Sequence, residues 1–345
     1  MAKPSMSDIA KLAGVSKNAV SLALRNDAQI SEKTREKIAA IAEKLGYAKN
    51  PVVSHLMTQL RQSRSPRFQA SLGLINAHSD PKAFAQHPTI PTYVAGCRRR
   101  AAQLGYVLDE FWLHDPDLDG TRLNRILQAR GIRGLVITGL MKENRLPKRF
   151  ASTWEAFPCV VTGVRTRQPA LSFAATDHHM LTMRAFEKAL ELGYQRPALV
   201  LDREIDLLID GRFSAGIYTA QLALPEKQRL KPFYEVNRAR NDPDIFWKWF
   251  DREKPDAILT LYNVVRHWLE KRGLQIGMEV GLIQMEWRAD RPDWAGMNQH
   301  NDIVGEAAVE MLVGMLHNGE KGVPVFPRAT LVGSSWMDGA TALRS

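Results

Sequence analysis

The sequence predicts an N-terminal all-α helix-turn-helix domain followed by an α/β domain of two lobes with parallel sheets. Three observations lead to this fold class. The chain has 345 residues, more than one hydrophobic core usually serves. Its first segment consists of short apolar helical stripes separated by capping residues. From Leu72 onward, short apolar runs alternate with amphipathic helical stretches, which indicates parallel strands covered by helices.

Composition narrows the class of protein. Apolar residues make up 45% and charged residues 24%, as in globular proteins. No apolar run approaches the about 18 residues that a membrane helix needs, and the first residues lack the apolar stretch of a secretory signal. Cys97 and Cys159 have no neighbours at metal-ligand spacing. We therefore expect a cytoplasmic protein with two buried thiols, no membrane partner, no metal and no cofactor.

Positive charge is concentrated at the N-terminus. The net charge is +10, and residues 1–67 hold 12 Lys and Arg against 5 Asp and Glu, whereas the remainder holds 35 against 32. Cations gathered in one segment bind polyanions through phosphate contacts and the release of counterions. The asymmetry points to a nucleic-acid partner for the first segment.

Capping residues mark the first helix. Ser5 and Asp8 predict its start, because a serine cap and an acidic residue three positions later satisfy free backbone N–H groups. Gly14 predicts its end, because glycine adopts the left-handed backbone conformation that terminates helices. The inward face is expected to consist of Ile9, Ala10, Leu12 and Ala13.

Two further helices complete a helix-turn-helix. Ser16 predicts the cap of a second helix, and Ser31 predicts the cap of a third that ends near Gly46. Small alanines at the predicted crossing let the first two helices meet closely. The second helix presents Lys17, Asn18, Ser21, Leu22 and Arg25 on the face that a major groove would meet, and all of them except Leu22 are polar or basic.

The strings in this segment resemble a known family. They are Asp8-Ile-Ala-Lys-Leu-Ala-Gly-Val-Ser16, Ala19-Val-Ser21, Ile30-Ser-Glu-Lys-Thr-Arg-Glu-Lys-Ile38, and Leu45-Gly-Tyr47 with Asn50. With these strings, residues 5–60 resemble the N-terminal region of the LacI/GalR family of bacterial repressors. The resemblance implies double-stranded operator DNA as a partner and a homodimer as the binding unit.

The resemblance also implies which residues contact DNA. Base reading falls on Lys17, Asn18 and Leu22, and Leu22 stands where the family often has arginine, so it can contact a thymine methyl but cannot read guanine. In the hinge, Leu56 occupies the position of a side chain that enters the minor groove. Val53 stands where the family usually has alanine. The full set of residues expected to contact DNA is Ser5, Ser16, Lys17, Asn18, Ser21, Leu22, Arg25, Ser31, Thr34, Tyr47, Asn50, Val53 and Leu56.

The body of the chain predicts two similar α/β halves. The strand-like runs are Leu72–Ile75, Leu135–Ile137, Cys159–Val161, Ala198–Leu201, Ala257–Leu261 and Val280–Ile283, and the amphipathic stretches include Tyr93–Leu104, Leu181–Leu192 and Ile303–Leu316. This body resembles the family's effector domain, which is like periplasmic sugar-binding proteins. We expect a DNA-binding domain at 1–49, a hinge and linker at 50–69, and an effector domain at 70–345. Its lobes are expected at about 70–163 with 300–327, and 164–299 with 328–345.

Ligands in open α/β sheets bind beyond the carboxyl ends of the strands. By this rule, the residues expected to contact the effector are Asn76, His78, Thr138, Tyr262, Asn263 and Glu286. Arg212 resembles the family's ligand-clamping arginine, and Gln299 lies where the family's chain crosses between lobes. The pattern is incomplete: Arg212 stands four residues before Gly216 instead of three, and Tyr262 replaces an asparagine.

These observations predict a DNA-binding transcription regulator, a repressor, whose operator affinity responds to a sugar or sugar derivative bound between the lobes. A nucleobase remains an alternative to a sugar as the effector. A sugar-binding transport protein would need an export signal and no helix-turn-helix. An α/β enzyme would need a dinucleotide, Walker or nucleophile-elbow motif, and none is found. Asp177-His-His179 is expected to be the start of a helix instead of a metal or acid–base site.

Overall fold

The first folded unit is a bundle of three short helices. The computed structural model of the chain describes residues 5–24, 29–45 and 70–343. The three helices are α1 (Met6–Ala13), α2 (Lys17–Ala23) and α3 (Glu32–Lys44). They share one core of Ile9, Ala10, Ala13, Val20, Ala23, Ile38 and Ala42. The predicted helix-turn-helix is therefore present.

Local interactions set the ends of these helices. The Asp8 carboxylate accepts hydrogen bonds from the N–H and the hydroxyl of Ser5, at 2.8 and 2.7 Å. Gly14 ends α1 in the left-handed region at φ 70°. The Lys37 ammonium on α3 donates to the carbonyl of Ala13, 3.0 Å away, and so satisfies a free carbonyl at the end of α1.

Two details of the bundle differ from the sequence prediction. Leu12 was expected on the inward face of α1 but is 61% exposed, because the core takes Ile9 and Ala13 from the adjacent positions. Ser31 stands at the cap position of α3, yet its hydroxyl lies 2.8 Å from the hydroxyl of Thr34 and makes no capping bond to the backbone.

Two sheets form the body of the molecule. The first contains β1 (Ala70–Asn76), β2 (Tyr106–Trp112), β3 (Leu135–Thr138), β4 (Cys159–Thr162), β5 (Ser172–Thr176) and β10 (Ala329–Val332), and the second contains β6 (Pro197–Val200), β7 (Ala257–Thr260), β8 (Gly281–Gln284), β9 (Ala295–Asn298) and β11 (Ser335–Met337). Their orders are β10-β5-β4-β3-β1-β2 and β11-β9-β8-β7-β6. All pairings are parallel except that of β11 with β9.

Helices surround both sheets. Those of the first lobe are α4 (Ala83–Gln86), α5 (Ile90–Gln103), α6 (Gly120–Ala129), α7 (Ala151–Ala156) and α14 (Asn301–His317). Those of the second lobe are α8 (His178–Glu191), α9 (Arg203–Leu208), α10 (Arg212–Gln221), α11 (Val236–Ala239), α12 (Asp244–Glu253) and α13 (Val264–Lys271). Single 3-10 turns lie at Lys148–Phe150 and Glu226–Gln228.

The six predicted strands are present within two residues of their expected bounds, and the three predicted helices within three. The sequence analysis does not predict β2, β5, β9, β10 and β11. Three of these, β2, β5 and β10, lack a strong apolar run for physical reasons. β2 is an edge strand, mostly half-buried, and the adjacent Asp109 and Glu110 interrupt its apolar residues. β5 is fully buried but consists largely of small residues, and β10 is an edge strand that is mostly exposed.

The sheet pairings correct the expected lobe boundaries. The sequence predicts the crossing into the second lobe at about residue 163, but β5 pairs with β4 in the first sheet, with Val160 opposite Ser172. It predicts the last crossing at about 328, but β10 pairs with β5. The chain therefore crosses at Asp177, at residues 299–300 and at residues 333–334.

The three crossings are bonded to one another. The Thr176 hydroxyl donates to the carbonyl of Gln299 at 3.1 Å. The Asp177 N–H donates to the carbonyl of Val332 at 2.9 Å. These hydrogen bonds hold the three crossing segments side by side. The three segments therefore form one common hinge between the lobes.

In the first lobe, α5 and α14 cross at glycines. A Cβ placed on Gly96 would lie 1.8 Å from the carbonyl oxygen of Asp302, and one placed on Gly305 would lie 2.2 Å from the carbonyl oxygen of Tyr93. The two backbones can approach this closely only because neither position carries a side chain. Gly314, on the same α14, has no atom within 4 Å of such a Cβ.

Several expectations concern single sites. Cys97 and Cys159 are free and buried, as predicted. His178 is the first residue of α8, and the Asp177 side chain caps that helix by accepting from the Met180 N–H at 3.1 Å. Within residues 5–24, 29–45 and 70–343, no group of three His, Cys, Asp or Glu side chains could hold a metal. No helix in these ranges is long and apolar enough to cross a membrane.

Candidate functional site

The first candidate surface is the outer face of α2. The Ser16 hydroxyl caps this helix by accepting from the Ala19 N–H at 3.1 Å. Val20 and Ala23 point into the bundle core and fix which face looks outward. Lys17, at the first position of the helix, is exposed, and Leu22 is partly exposed. The positive end of the α2 dipole and the Lys17 ammonium therefore meet solvent together.

Other expected DNA contacts lie around α2. Asn18 and Ser21 are residues of α2 itself. Ser5 and Ser31 are exposed at the starts of α1 and α3, and Thr34 is partly buried beside Ser31. The remaining expected contacts lie outside the described residues: Arg25, Tyr47, Asn50, Val53 and Leu56.

The second candidate site lies between the two sheets, at the carboxyl ends of their strands. Some expected ligand residues form the scaffold there. Asn76 is buried, and its amide nitrogen donates to the carbonyls of Asp80 and Pro81 while its oxygen accepts from the His78 N–H. All polar atoms of this side chain are thus engaged within its own loop, which leaves no donor for a ligand.

Thr138 and Gln299 are also buried. The Thr138 hydroxyl accepts from that of Thr162 at 3.1 Å. The Gln299 amide nitrogen donates to the carbonyl of Met285 at 2.8 Å, and its backbone carbonyl is part of the hinge. These side chains stabilise the strand ends and the crossing between lobes.

A polar network connects the lobes near His78. The Arg288 guanidinium of the second lobe donates to the Thr89 hydroxyl of the first lobe and to the Glu286 carboxylate, both at 3.1 Å. His87 lies near Arg288 and packs against His78, with ring centroids 5.2 Å apart. Burial, followed by the proximity of His78, lowers the pKa of His87. This cluster of polar groups from both lobes could hold the hydroxyls or amides of a small molecule.

Glu286 extends the network toward the hinge. Its second oxygen accepts from the Asn301 amide at 3.3 Å. It also faces Tyr93, a buried residue of α5, whose pKa is raised by burial and further by the Glu286 charge. Glu286 thus touches the first residue of α14 and lies close to α5, so a ligand that displaced it would act on both helices.

Arg212 belongs to a second interlobe cluster. Its guanidinium lies over the ring of Phe173 on β5, 5.4 Å from the centroid, and Arg165 lies 5.3 Å from the same centroid. Arg167 of the first lobe forms an ion pair with Asp210 of the second at 2.7 Å. The segments after β4 and before α10 therefore meet between the lobes.

Tyr262 and Asn263 follow β7 in the second lobe. Arg240 lies over the Tyr262 ring, 5.6 Å from its centroid. Burial, followed by the adjacent Asp202 carboxylate, raises the pKa of Tyr262. Asn263 is exposed, and its side-chain oxygen accepts from Gln284 at 3.2 Å.

Sequence reasoning missed several residues of these clusters: His87, Thr89, Tyr93, Arg165, Arg167, Asp202, Arg240 and Arg288. The signal that could have found most of them is the strand-end rule applied to whole loops. His87 and Thr89 lie in the loop after β1, Arg165 follows β4, and Arg288 follows β8. The tertiary contacts between them, such as Thr89 with Arg288, carry no local pattern in the sequence.

The second lobe also has a cavity of about 740 Å³ that contains none of the eight predicted effector residues. It is lined by Asp202, Arg203, Tyr234, Lys248, Trp249 and neighbouring residues. Arg203 stacks on Tyr234 at 4.1 Å, and the Ser214 hydroxyl contacts both Tyr234 and Asp206. The cavity shares Asp202 with the surroundings of Tyr262, because the Asp202 carboxylate lies next to that ring.

Comparisons with known proteins agree with the first surface. Residues 5–50 match the family described as "Bacterial regulatory proteins, lacI family". The HTH-type transcriptional regulator MalR of Streptococcus pneumoniae serotype 4 is 24% identical over 193 residues, 56% of this chain. The HTH-type transcriptional regulator CelR of Thermobifida fusca is 23% identical over 202 residues, 57% of this chain. Each alignment spans only 55% of the relative's own length.

Solved structures share the fold over nearly the whole chain. A transcriptional regulator CelR–cellobiose complex has a TM-score of 0.59 at 19% identity and covers 98% of this chain and 99% of its own. The Lac repressor dimer bound to operator and the anti-inducer ONPF has a TM-score of 0.57 at 18% identity and covers 100% of both chains. The two-lobed body with parallel sheets is thus the fold of these proteins.

Proposed function

Since the chain belongs to the LacI/GalR family of bacterial regulatory proteins, we propose that it is a sequence-specific DNA-binding transcription repressor controlled by a small molecule. The observation that carries this proposal is α2, capped by Ser16 and anchored by Val20, with Lys17 on its free outer face. A helix of this kind enters the major groove and reads base edges with its first residues. The names of the relatives, all of them regulators, support a regulatory protein over an enzyme.

On DNA, the contacts divide by role. Lys17, Asn18 and Leu22 read bases, whereas exposed cations such as Lys11 and Lys33 contact phosphates and position the bundle. Hinge residues Asn50, Val53 and Leu56 contact the minor groove between two half-sites. A homodimer on a pseudo-palindromic operator follows from this arrangement, because two-fold symmetry places one α2 in each half-site.

The effector binds between the lobes and is a sugar or sugar derivative. The polar network of His78, His87, Thr89, Glu286 and Arg288 supplies donors and acceptors from both lobes. Since Arg288 already bridges the lobes, a ligand at this place competes with or extends an existing interlobe bond. Its binding then changes the angle between the lobes about the hinge, with a coupling to DNA affinity of about 1–3 kcal/mol.

The test is selection of duplexes from a random pool with the full chain, followed by affinity measurements at one salt concentration. Lys17→Ala is expected to weaken binding to the selected site about tenfold or more, because a specific base contact contributes about 1–3 kcal/mol. Lys271→Ala, an equal loss of charge at an exposed position on α13, serves as the control and is expected to leave the affinity unchanged.

The selected sequences also test the predicted base contacts of α2. Two related half-sites are expected, without a required guanine opposite Leu22. Recovery of no consensus, or equal affinity of Lys17→Ala and the unaltered chain for the selected site, would contradict the proposal.

A further inference from the structure

The cavity in the second lobe has walls from three segments, namely the start of α9, residues 232–238 and one side of α12. Hydrogen bonds join these walls. The Arg203 N–H of α9 donates to the carbonyl of Tyr234 at 3.3 Å. The indole N–H of Trp249 on α12 donates to the carbonyl of Lys231 at 2.8 Å. The cavity is therefore a fixed part of the second lobe and needs no ligand to form.

Apolar side chains form part of the lining. Phe233 and Trp249 are buried, and their rings pack against each other with centroids 5.4 Å apart. Ile245, partly buried on α12, lines the same cavity. Contact with side chains of this kind removes the apolar surface of a ligand from water. This part of the cavity therefore suits an apolar or aromatic group.

Two cations of the lining form no ion pair. The other two are neutralised by carboxylates: Arg238 by Glu235 and Arg252 by Glu253. Arg203 and Lys248 are exposed, and none of the ion pairs among residues 70–343 includes either of them. The Arg203 guanidinium lies over the Tyr234 ring, 4.1 Å from its centroid, so its N–H groups point outward in the plane. These two side chains can therefore hold a carboxylate.

The lining also contains carboxylates without a cation. Asp202 is 2% exposed, and its Oδ1 atom accepts from the Asn237 N–H at 2.8 Å. Its Oδ2 atom is buried and has no hydrogen-bond partner among the described residues, although the Tyr262 hydroxyl, a neutral group, lies beside the carboxylate. Glu204, which is exposed, forms no ion pair within residues 70–343. Because a buried charge is costly unless it is paired, the Asp202 side chain provides a place for an ammonium group.

We propose that this cavity binds a free α-amino acid with an apolar or aromatic side chain. The ammonium of the ligand bonds to Asp202, and its carboxylate bonds to Arg203 and Lys248. Its side chain packs on Phe233 and Trp249. Asp202 and Arg203 are consecutive residues with Cα atoms about 3.8 Å apart, so they offer an anion and a cation side by side. An α-amino acid carries both of its charged groups on one carbon atom and therefore matches this pair.

This site goes beyond the proposed effector site. None of the residues in the polar network between the lobes lines the cavity. Asp202 nevertheless lies next to Tyr262, one of the residues expected to contact the effector. An ammonium bound to Asp202 therefore places a positive charge near Tyr262, which gives the regulator a second small-molecule input.

The experiment measures the melting temperature of the full chain with phenylalanine, leucine, phenylpropionate or phenethylamine at equal concentration and ionic strength. Phenylpropionate lacks the ammonium of phenylalanine, and phenethylamine lacks its carboxylate. We expect phenylalanine, leucine or both to raise the melting temperature by about 2 °C or more, since a ligand of the native state stabilises it by mass action. The two analogues, which lack one charged group each, should have no such effect.

Three variants locate the effect. Asp202→Asn removes the charge but keeps an acceptor for the Asn237 N–H, and Arg203→Gln removes an exposed cation that forms no ion pair. Each is expected to weaken binding of the amino acid about tenfold or more in a calorimetric titration, because a hydrogen bond between charged groups is lost. Lys271→Gln, an equal loss of charge at an exposed position on α13 outside the cavity, should leave the affinity unchanged.

The inference is overturned if neither amino acid raises the melting temperature, if an analogue with one charged group is as effective, or if Arg203→Gln binds as tightly as the unaltered chain. Binding of the same preparations to the selected duplex separates this inference from the proposed function. Absence of an amino-acid response with normal specific DNA binding contradicts only the site in the cavity. A normal amino-acid response without specific DNA binding contradicts the proposed function.

Discussion

The N-terminal bundle and the two-lobed body build their functional surfaces in different ways. In the bundle, the surface is one face of α2, and the residues that orient it, Ser16 and Val20, lie on or next to the same helix. In the body, the clusters join residues far apart in the chain, such as Thr89 with Arg288 and Phe173 with Arg212. A local surface can be changed one residue at a time, whereas an assembled one depends on the packing of both lobes.

The crossing of α5 and α14 gives the largest expected effect on the assembled region. Gly305→Ala would place a Cβ 2.2 Å from the backbone carbonyl of Tyr93, which cannot move without shifting α5. We expect a loss of about 3 kcal/mol in the free energy of unfolding. Gly314→Ala, on the same helix with open space around it, is the control and is expected to be neutral or stabilising by about 0.5–1 kcal/mol. Denaturant unfolding measures both, and equal stabilities would contradict the close crossing.

Acid should weaken the second lobe through His178. Burial, followed by the Arg212 charge, lowers its pKa from 6.5 to about 3. The folded protein therefore binds this proton less readily than the unfolded chain, and its stability falls as the pH decreases from 6.5 toward 3. The slope that this residue contributes is about 1.4 kcal/mol per pH unit.

Comparing the unaltered chain with His178→Asn isolates that slope, because every other titrating group is common to both. Because the substitution itself also changes the free energy of unfolding, only the dependence of that energy on pH between 7 and 5 is compared. Parallel curves would show that His178 accepts its proton in the folded state without penalty.

The bond between Arg288 and Thr89 tests whether the lobes are coupled directly. We expect a coupling free energy of about 1 kcal/mol in a double-mutant cycle of Arg288→Ala and Thr89→Val, since a hydrogen bond from a charged donor is lost. Thr92→Val, at an exposed position on α5, replaces Thr89→Val in the control cycle and should give no coupling. A coupling of zero in both cycles would mean that the lobes meet at this point without energetic consequence.

The smallest expected effect belongs to the bundle. Lys37→Met removes the ammonium that donates to the carbonyl of Ala13 and should cost about 0.5–1 kcal/mol, seen as faster amide exchange in α1. Lys33→Met, at an exposed site on α3, is the matched control and should leave the exchange unchanged while weakening DNA binding. Faster amide exchange in Lys33→Met and unchanged exchange in Lys37→Met would contradict the assigned role of Lys37.

Sequence reasoning found most of the fold because the decisive patterns are short. The caps at Ser5 and Ser16, the glycine at 14 and the fully apolar strands all act within a few residues. It failed where burial depends on neighbours distant in the chain. β2 and β10 are edge strands, and β5 is built from small residues, so none of them shows a strong apolar run.

The candidate site was harder to predict from the sequence, because it too depends on neighbours that are distant in the chain. The strand-end rule predicts ligand contacts at the carboxyl edges of both sheets, but it could not show that the amide of Asn76 would be engaged by its own loop. Applied to whole loops the rule includes Arg288, but it could not show that Arg288 bonds to Thr89 in the other lobe. The position of a side chain along a strand predicts where it lies, whereas its availability for a ligand depends on every neighbour.

The last two strands have a consequence for biosynthesis. β10 completes the edge of one sheet and β11 the edge of the other, and each is made after all the other strands of its sheet. The helical bundle is made before either sheet and needs only contacts within residues 5–45 to form its core. Growing chains would therefore form the three-helix bundle while both sheets still await their final strand, and a polypeptide stalled at that stage would carry the bundle without a completed two-lobed body.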